Sequence, residues 1–254
     1  MIRRGAEQSF RTDPEPVSVR KETEMKIAMV HGQNHVGSTC HVGRILAEKL
    51  GGEVKEFFLP ADFSGYCTGC IACIVKEESL CPHSGQLEKI TEALDEADVL
   101  IFTSPVYVYH VTGQMKALLD HYAWRWMLHR PEPSMFSKQA VCISTAAGGG
   151  MKSANKDMAD SFFFWGIPAV YRLGFAVRAA SYAKISGEIK ADIDRKTTAL
   201  AAKIIKRAGR VKPGIKTRAF FHLVRKKIHG PDWNEADRIY WRERGWYGDV
   251  RPWK

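Results

Sequence analysis

Apolar residues first fall into a regular pattern at Lys26, and from there to Gly209 short apolar runs alternate with stretches of helical period. Residues 26–31, KIAMVH, read as a short buried strand. STCHVGRILAEKL (38–50) has apolar positions at helical spacing and stops at Gly51-Gly52. EVKEFFL (53–59) reads as a second strand, followed by a cysteine-bearing loop. SGQLEKITEALDEA (84–97) opens on a serine cap and reads as a helix. DVLIFTSPVY (98–107) is a third strand, TGQMKALLDHYAW (112–124) a helix, and QAVCISTAAGGG (139–150) a fourth strand ending in glycines. A helix over 151–165, a fifth strand over 168–177 and a long helix over 187–209 complete the series. Five strands alternating with five helices predict an α/β fold, a doubly wound parallel sheet without internal repeats. Strands that are apolar throughout fit burial on both faces.

Outside this frame the chain changes character. Residues 1–24 mix Pro, Glu and Arg without hydrophobic period and read as a disordered leader, with Met25 an alternative start. Residues 25–209 form the expected domain, and 210–254 a basic extension holding four of the seven tryptophans. Charge sharpens that boundary. Residues 203–254 hold 15 Lys and Arg against 5 Asp and Glu, whereas residues 1–202 hold 23 of each, so the whole net charge of +10 belongs to the C-terminal end. A balanced core argues against nucleic-acid binding as the main activity. No apolar run approaches the roughly 20 residues needed to span a bilayer, and the polar start lacks a secretory signal. A cytoplasmic location is the expectation, and clustered cysteines there bind metal or do redox work more often than they form disulfides.

In a doubly wound sheet, ligands bind beyond the carboxyl ends of the strands. HGQNHVGST (31–39) follows strand 1 and offers backbone N–H groups and the hydroxyls of Ser38 and Thr39 at a helix N-terminus, an anion site without lysine. It ends in no G-K-[ST] and contains no G-x-G-x-x-G, so neither the triphosphate loop nor the dinucleotide fingerprint is present. TSPVYVYHVTGQMK (103–116) puts Tyr107 and Tyr109 at the end of strand 3, and STAAGGG (144–150) lets backbone approach a flat ligand after strand 4. Together the three loops describe one pocket for a phosphate at one end and a planar ring at the other.

KIAMVHGQNHVGST, SPVYVYHVTGQMKALLDH and STAAGGG resemble the three flavin-binding segments of the flavodoxin-like NAD(P)H-dependent FMN reductase family over residues 26–185. The resemblance implies a flavodoxin-like sheet in the order 2-1-3-4-5 that binds FMN. It implies that Gln33, Asn34, Ser38 and Thr39 hold the phosphate, and that Ser104, Pro105, Val106, Tyr107, Thr145, Ala146 and Gly148 line the isoalloxazine. The sequence departs from the family at Gln33-Asn34-His35, where many relatives have a Pro-Arg or similar pair. Members are commonly dimers or tetramers, so a homo-oligomer is expected.

CTGCIACIVKEESLC (67–81) holds Cys67, Cys70, Cys73 and Cys81 in the spacing C-x2-C-x2-C-x7-C, which resembles the cysteine motif of iron–sulfur flavoproteins carrying a [4Fe–4S] cluster beside FMN. Soft thiolates suit such a cluster. Zinc and metal-free thiols are the alternatives, although structural zinc sites usually pair two C-x2-C halves a dozen or more residues apart. Cys40 and Cys142 fall in a helix and a strand and read as core fillers. His31, His35, His41 and His110 lie near the expected pocket and read as rim residues. YAWRWMLHRPEP (122–133) reads as a lid over the flavin or as subunit packing, and Asp120-His121 as a structural or interface pair. In the extension, AFFHLVRKKI (219–228) has apolar residues at helical spacing beside a basic face, which suits another subunit, an acidic redox partner or an anionic membrane surface.

These features point to an FMN-dependent oxidoreductase that takes electrons from NADH or NADPH and gives them to a small acceptor such as a quinone, a nitro compound or free flavin. The alternative is a non-catalytic iron–sulfur flavoprotein reduced by ferredoxin. No separate nicotinamide domain is visible, so a pyridine nucleotide must stack on the flavin face.

Overall fold

The computed structural model describes residues 24–254, so the expected leader lies, but for Glu24, outside the described residues. Five strands, β1 (Lys26–His31), β2 (Glu53–Phe58), β3 (Val99–Pro105), β4 (Gln139–Ala146) and β5 (Ala169–Ala176), form one sheet in the order β2-β1-β3-β4-β5. Every pairing is parallel, with β1 in register from Ile27 opposite Val99 to His31 opposite Thr103. This is the doubly wound, flavodoxin-like arrangement.

Alternate side chains of each central strand enter different cores. Ile27 and Met29 of β1 pack with Ile101, Val141 and Ile143 against α1 (Ser38–Leu50) and the long helix α6 (Gly187–Arg207). Ala28 and Val30 pack with Leu100, Phe102 and Cys142 against α3 (Ser84–Glu96), α4 (Gly113–His121) and α5 (Met151–Phe164). Two buried faces explain strands without polar alternation. Cys40 and Cys142 are fully buried, as core fillers should be.

Several local expectations shift. The glycines 148–150 lie beyond β4, which ends at Ala146, and Gly150 (φ 92°) is the left-handed N-cap of α5. Ser84 is not the cap of α3. His83 occupies that position, and the Ser84 hydroxyl donates instead to the Ser79 carbonyl. The cysteine loop contains one α-helical turn, α2 (Ala72–Val75), and a 3-10 turn over Glu78–Leu80.

The extension folds as α7 (Ile215–Ile228) and α8 (Glu235–Glu243). Phe221, Val224, Ile228, Trp241 and Trp246 bury against Met127 and Phe136 to make a third core. The apolar face of 219–228 is thus covered within its own chain rather than presented to a subunit or membrane. Within residues 122–133, Tyr122, Trp124 and Trp126 pack on the core beneath the sheet, while Met127 and Leu128 pack on this third core. Trp241 stacks on Phe221 at 4.8 Å and its indole N–H donates to the His129 carbonyl at 2.6 Å. No helix among the described residues is long and apolar enough to cross a membrane.

Candidate functional site

The loops after β1, β3 and β4 leave the carboxyl edge of the sheet, where a fold of this kind has its ligand crevice. The Gly32 N–H donates to the Thr103 carbonyl at 2.7 Å, and the Val106 N–H to the Thr145 carbonyl at 3.0 Å, so each loop leaves its strand fixed to a neighbour. Thr112 caps α4 by accepting from the Met115 N–H, and its hydroxyl donates to the Gly32 carbonyl at 2.6 Å. A Cβ on Gly32 would stand 2.8 Å from that hydroxyl oxygen, which requires glycine here.

The residues expected at a phosphate surround the start of α1. Its N-cap is Gly37, with no side-chain cap, so the amides of the first turn face the loop without a hydroxyl partner. Asn34 is exposed, Ser38 half-buried, and Gln33 buried with its amide donating to the His35 carbonyl at 3.1 Å. The hydroxyls of Thr39 and Thr145 meet at 2.6 Å, both buried. One donates to the other, leaving one hydroxyl hydrogen for a third acceptor. Uncapped amides, small hydroxyls and a helix N-terminus fit an anionic phosphate.

The expected ring site is more mixed. Ser104 is fully buried, and its hydroxyl accepts from the Thr112 N–H and donates to the Pro105 carbonyl, so it braces the loop. Val106 packs on the core, while Tyr107, Val108 and Tyr109 are exposed. Val108 and Tyr109 have φ of 47° and 66°, a conformation costly for a β-branched residue, and the Tyr107 and His110 backbones bond each other to close this tight turn. A Cβ on Gly148 would meet nothing within 4 Å and one on Gly149 only Tyr109 at 4.0 Å, leaving open space against bare backbone. That cradle, beside Thr145 and Ala146, fits a flat ring.

The histidines divide. His31 is no rim residue. It is fully buried, with Nδ1 2.7 Å from the Thr103 hydroxyl and Nε2 2.7 Å from Glu56, whose carboxylate also takes two bonds from Arg44. Burial outweighs the carboxylate and lowers its pKa. Burial likewise raises the Cys40 thiol, 3.8 Å from the ring, to about 11. His41 stacks on Tyr182, His110 faces Asp157 at 3.0 Å, and His35 is exposed.

The loop after β2 leaves the same edge, but its cysteines settle against the far end of α4. Cys67, Cys70, Cys73 and Cys81 line one small cavity together with His83, Asp120 and His121. Burial first, then the neighbouring Cys81, Cys67 and Cys70 sulfurs, push the Cys73 thiol up. None of the four forms a disulfide. Gly69 (φ 71°) and Ile71 (φ 53°) take left-handed conformations between the cysteines, so the chain reverses tightly around the cavity. Four soft donors converging on one cavity fit a cluster. Composition alone does not reveal that Cys81, His83 and His121 also lie with their ligand atoms within 4.8 Å of one another.

His121 donates from Nδ1 to the Ala117 carbonyl at 2.7 Å, since only a protonated nitrogen can face a carbonyl. Its Nε2 therefore accepts from His83 Nδ1 at 2.9 Å. Burial, the largest influence, lowers the His121 pKa. The Asp120 carboxylate meanwhile pairs with Lys116. Thus α4 carries its cap at the crevice and a histidine at the cysteine cavity, with nine residues or roughly 14 Å of helix between them.

Comparison with known proteins agrees with this geometry. An iron–sulfur flavoprotein of Archaeoglobus fulgidus is 28% identical over 207 residues, covering 78% of this chain and 87% of the relative. An iron–sulfur flavoprotein of Methanocaldococcus jannaschii is 33% identical over 119 residues, covering 46% and 58%. Among solved structures, an FMN-dependent NADH-azoreductase from Bacillus anthracis in complex with FMN superposes with a TM-score of 0.52 at 12% identity, covering 71% of this chain and 99% of that one, a likeness of fold. The family model for NADPH-dependent FMN reductase matches residues 25–181, the span that carries the sheet, the crevice and the cysteine loop. With the strand order and the three edge loops, that match places the chain in the NADPH-dependent FMN reductase family.

Proposed function

We propose that this chain is an FMN-dependent oxidoreductase that takes electrons from NADH or NADPH and delivers them, through a [4Fe–4S] cluster held by Cys67, Cys70, Cys73 and Cys81, to a small acceptor. The observation that carries the reading is the convergence of all four cysteines on one cavity at the end of the helix whose other end caps the crevice. FMN supplies hydride acceptance and single-electron release when bound, and a cluster supplies one-electron carriage.

The chain's own part is positional. The uncapped α1 terminus, with Gln33, Asn34, Ser38 and Thr39, orients the phosphate. Ser104 and Thr112 hold the β3 loop so that Pro105, Val106 and Tyr107 border the ring, while Thr145, Ala146 and Gly148 border it from the β4 loop. The exposed faces of Tyr107 and Tyr109 leave room for a nicotinamide to stack. The names of the archaeal relatives support the cluster.

Anaerobic purification tests this directly. The expected protein is brown, holds FMN, and contains four irons and four sulfides per chain. Changing any of the four cysteines to Ala should remove the iron and leave FMN bound. Yellow protein without iron overturns the cluster, and one zinc per chain makes the cavity a zinc site instead. Rapid mixing with NADPH should bleach the flavin. A flavin that stays oxidised with pyridine nucleotide but is reduced by ferredoxin identifies the carrier instead.

A further inference from the structure

The helical turn that carries Cys73 has little to hold it in place. α2 is four residues long and none of them is buried, so neither an apolar anchor nor helix length stabilises it. The carbonyls of Cys73 and Ile74 lie at its end, where a helix has no partners of its own to offer. Those partners come from far along the chain. Arg130 donates from Nη1 to the Ile74 carbonyl at 2.9 Å and from Nη2 to the Cys73 carbonyl. Asn234, the N-cap of α8, donates its side-chain amide to the Ile74 carbonyl as well.

Arg130 is itself fixed. Only 4% exposed, it pairs through Nη1 with Asp237 Oδ1 at 2.6 Å, and Asp237 is fully buried in the third core. The other carboxylate oxygen of Asp237 accepts from His129 Nδ1 at 2.8 Å and from the Trp233 indole at 3.0 Å. The guanidinium also stands 3.6 Å from Glu78, in the turn that leads to Cys81. A planar fork of five donors suits this bridging position, and lysine would not reproduce it. A buried ion pair is costly to desolvate, so its placement against the backbone of one cysteine turn needs a structural use.

We propose that residues 127–137 with α7 and α8 are a clamp on the cysteine loop, and that Arg130, braced by Asp237, is the positioning residue that sets the Cys73 turn. The purpose of the clamp rests on the cluster reading above. Its existence does not. The clamp acts on main-chain carbonyls, so it fixes the direction of the Cys73 side chain without occupying the cavity. It also sets the Arg130 charge, paired with Asp237, against the Cys73 backbone, and charge near a cluster tunes its potential.

Hydrogen exchange and redox titration of the full chain test this with Asn234→Asp, Arg130→Gln and Arg130→Lys. Asn234→Asp keeps an oxygen to cap α8 but loses the donor to Ile74, so the fold is retained. Amides of residues 72–78 should exchange at least tenfold faster in Asn234→Asp and Arg130→Gln, with β1 and β3 unchanged and FMN retained. Iron release to a chelator should speed by a similar factor. The cluster midpoint potential should fall in Arg130→Gln and stay near the parent value in Arg130→Lys, which keeps the charge. Parental exchange over 72–78 in both Asn234→Asp and Arg130→Gln overturns the clamp, as does faster exchange shared equally by β1 and β3. A parent chain that never binds iron contradicts the cluster alone, and the exchange measurement still decides the clamp.

Discussion

The crevice at the sheet edge and the cysteine cavity are held together in opposite ways. In the crevice each loop is tied to the next strand over: Gly32 to Thr103, Val106 to Thr145, and Thr112 back to Gly32. Those partners are neighbours because the parallel sheet makes them so. The cysteine cavity leans instead on Arg130, Asn234 and Asp237, side chains from the segment between α4 and β4 and from α8 and its cap. One site is a product of the fold, and the other is supported by an addition to it. Changes in the two supports should therefore separate flavin binding from iron binding.

The largest test is Trp241→Ala in the third core. Removing a fully buried indole that stacks on Phe221 should cost about 3–5 kcal/mol in stability of the extension, read by urea unfolding. Flavin should remain bound at low urea while iron is lost. Simultaneous loss of both would break the comparison and show one cooperative unit. Gly150→Ala works from the other side. A Cβ there would stand 2.6 Å from the Val106 side chain on a left-handed residue, costing about 1–3 kcal/mol. FMN affinity measured by fluorescence quenching should fall at least tenfold, with iron content unchanged.

A smaller effect comes from His31 beneath the crevice. Its folded pKa lies below the ordinary histidine value, so the unfolded chain binds the extra proton as pH falls through about 6.5. Stability is thus complete above that pH and declines as pH falls toward the folded pKa, by at most about 1.4 kcal/mol per pH unit from this one group. His31→Gln should flatten that part of the profile in urea titrations between pH 5 and pH 7. Smallest is Gly148→Ala. A Cβ there meets open space, so stability should move by less than about 0.5 kcal/mol. If the ring lies on this backbone, FMN affinity should nonetheless drop, and an unchanged affinity would move the ring elsewhere along the edge.

This division also marks what the sequence could reveal. Apolar runs, helical periods and glycine stops located every strand and the five helices of the sheet, because each is a local consequence of side-chain spacing. The edge loops followed from the topology. The cysteine spacing pointed to a shared site, and the four residues do share one cavity. The support of that cavity was illegible, because Arg130 and Asp237 are 107 residues apart and each alone resembles an ordinary surface charge. For the same reason the basic extension reads as a surface for partners, although its tryptophans build an internal core. His31 reads as a rim residue because nothing in its neighbours announces Glu56 and Arg44 closing over it.

The contact between Asp237 and Arg130 has a consequence in time. A ribosome adds ~5–20 residues per second, so roughly 160 residues and about 8–30 s separate the synthesis of Cys73 from that of Asp237. Throughout that interval the nascent sulfur-bearing turn exists without its brace. Whatever must reach those thiols has its widest access before α8 leaves the exit tunnel and Asp237 closes the door behind it.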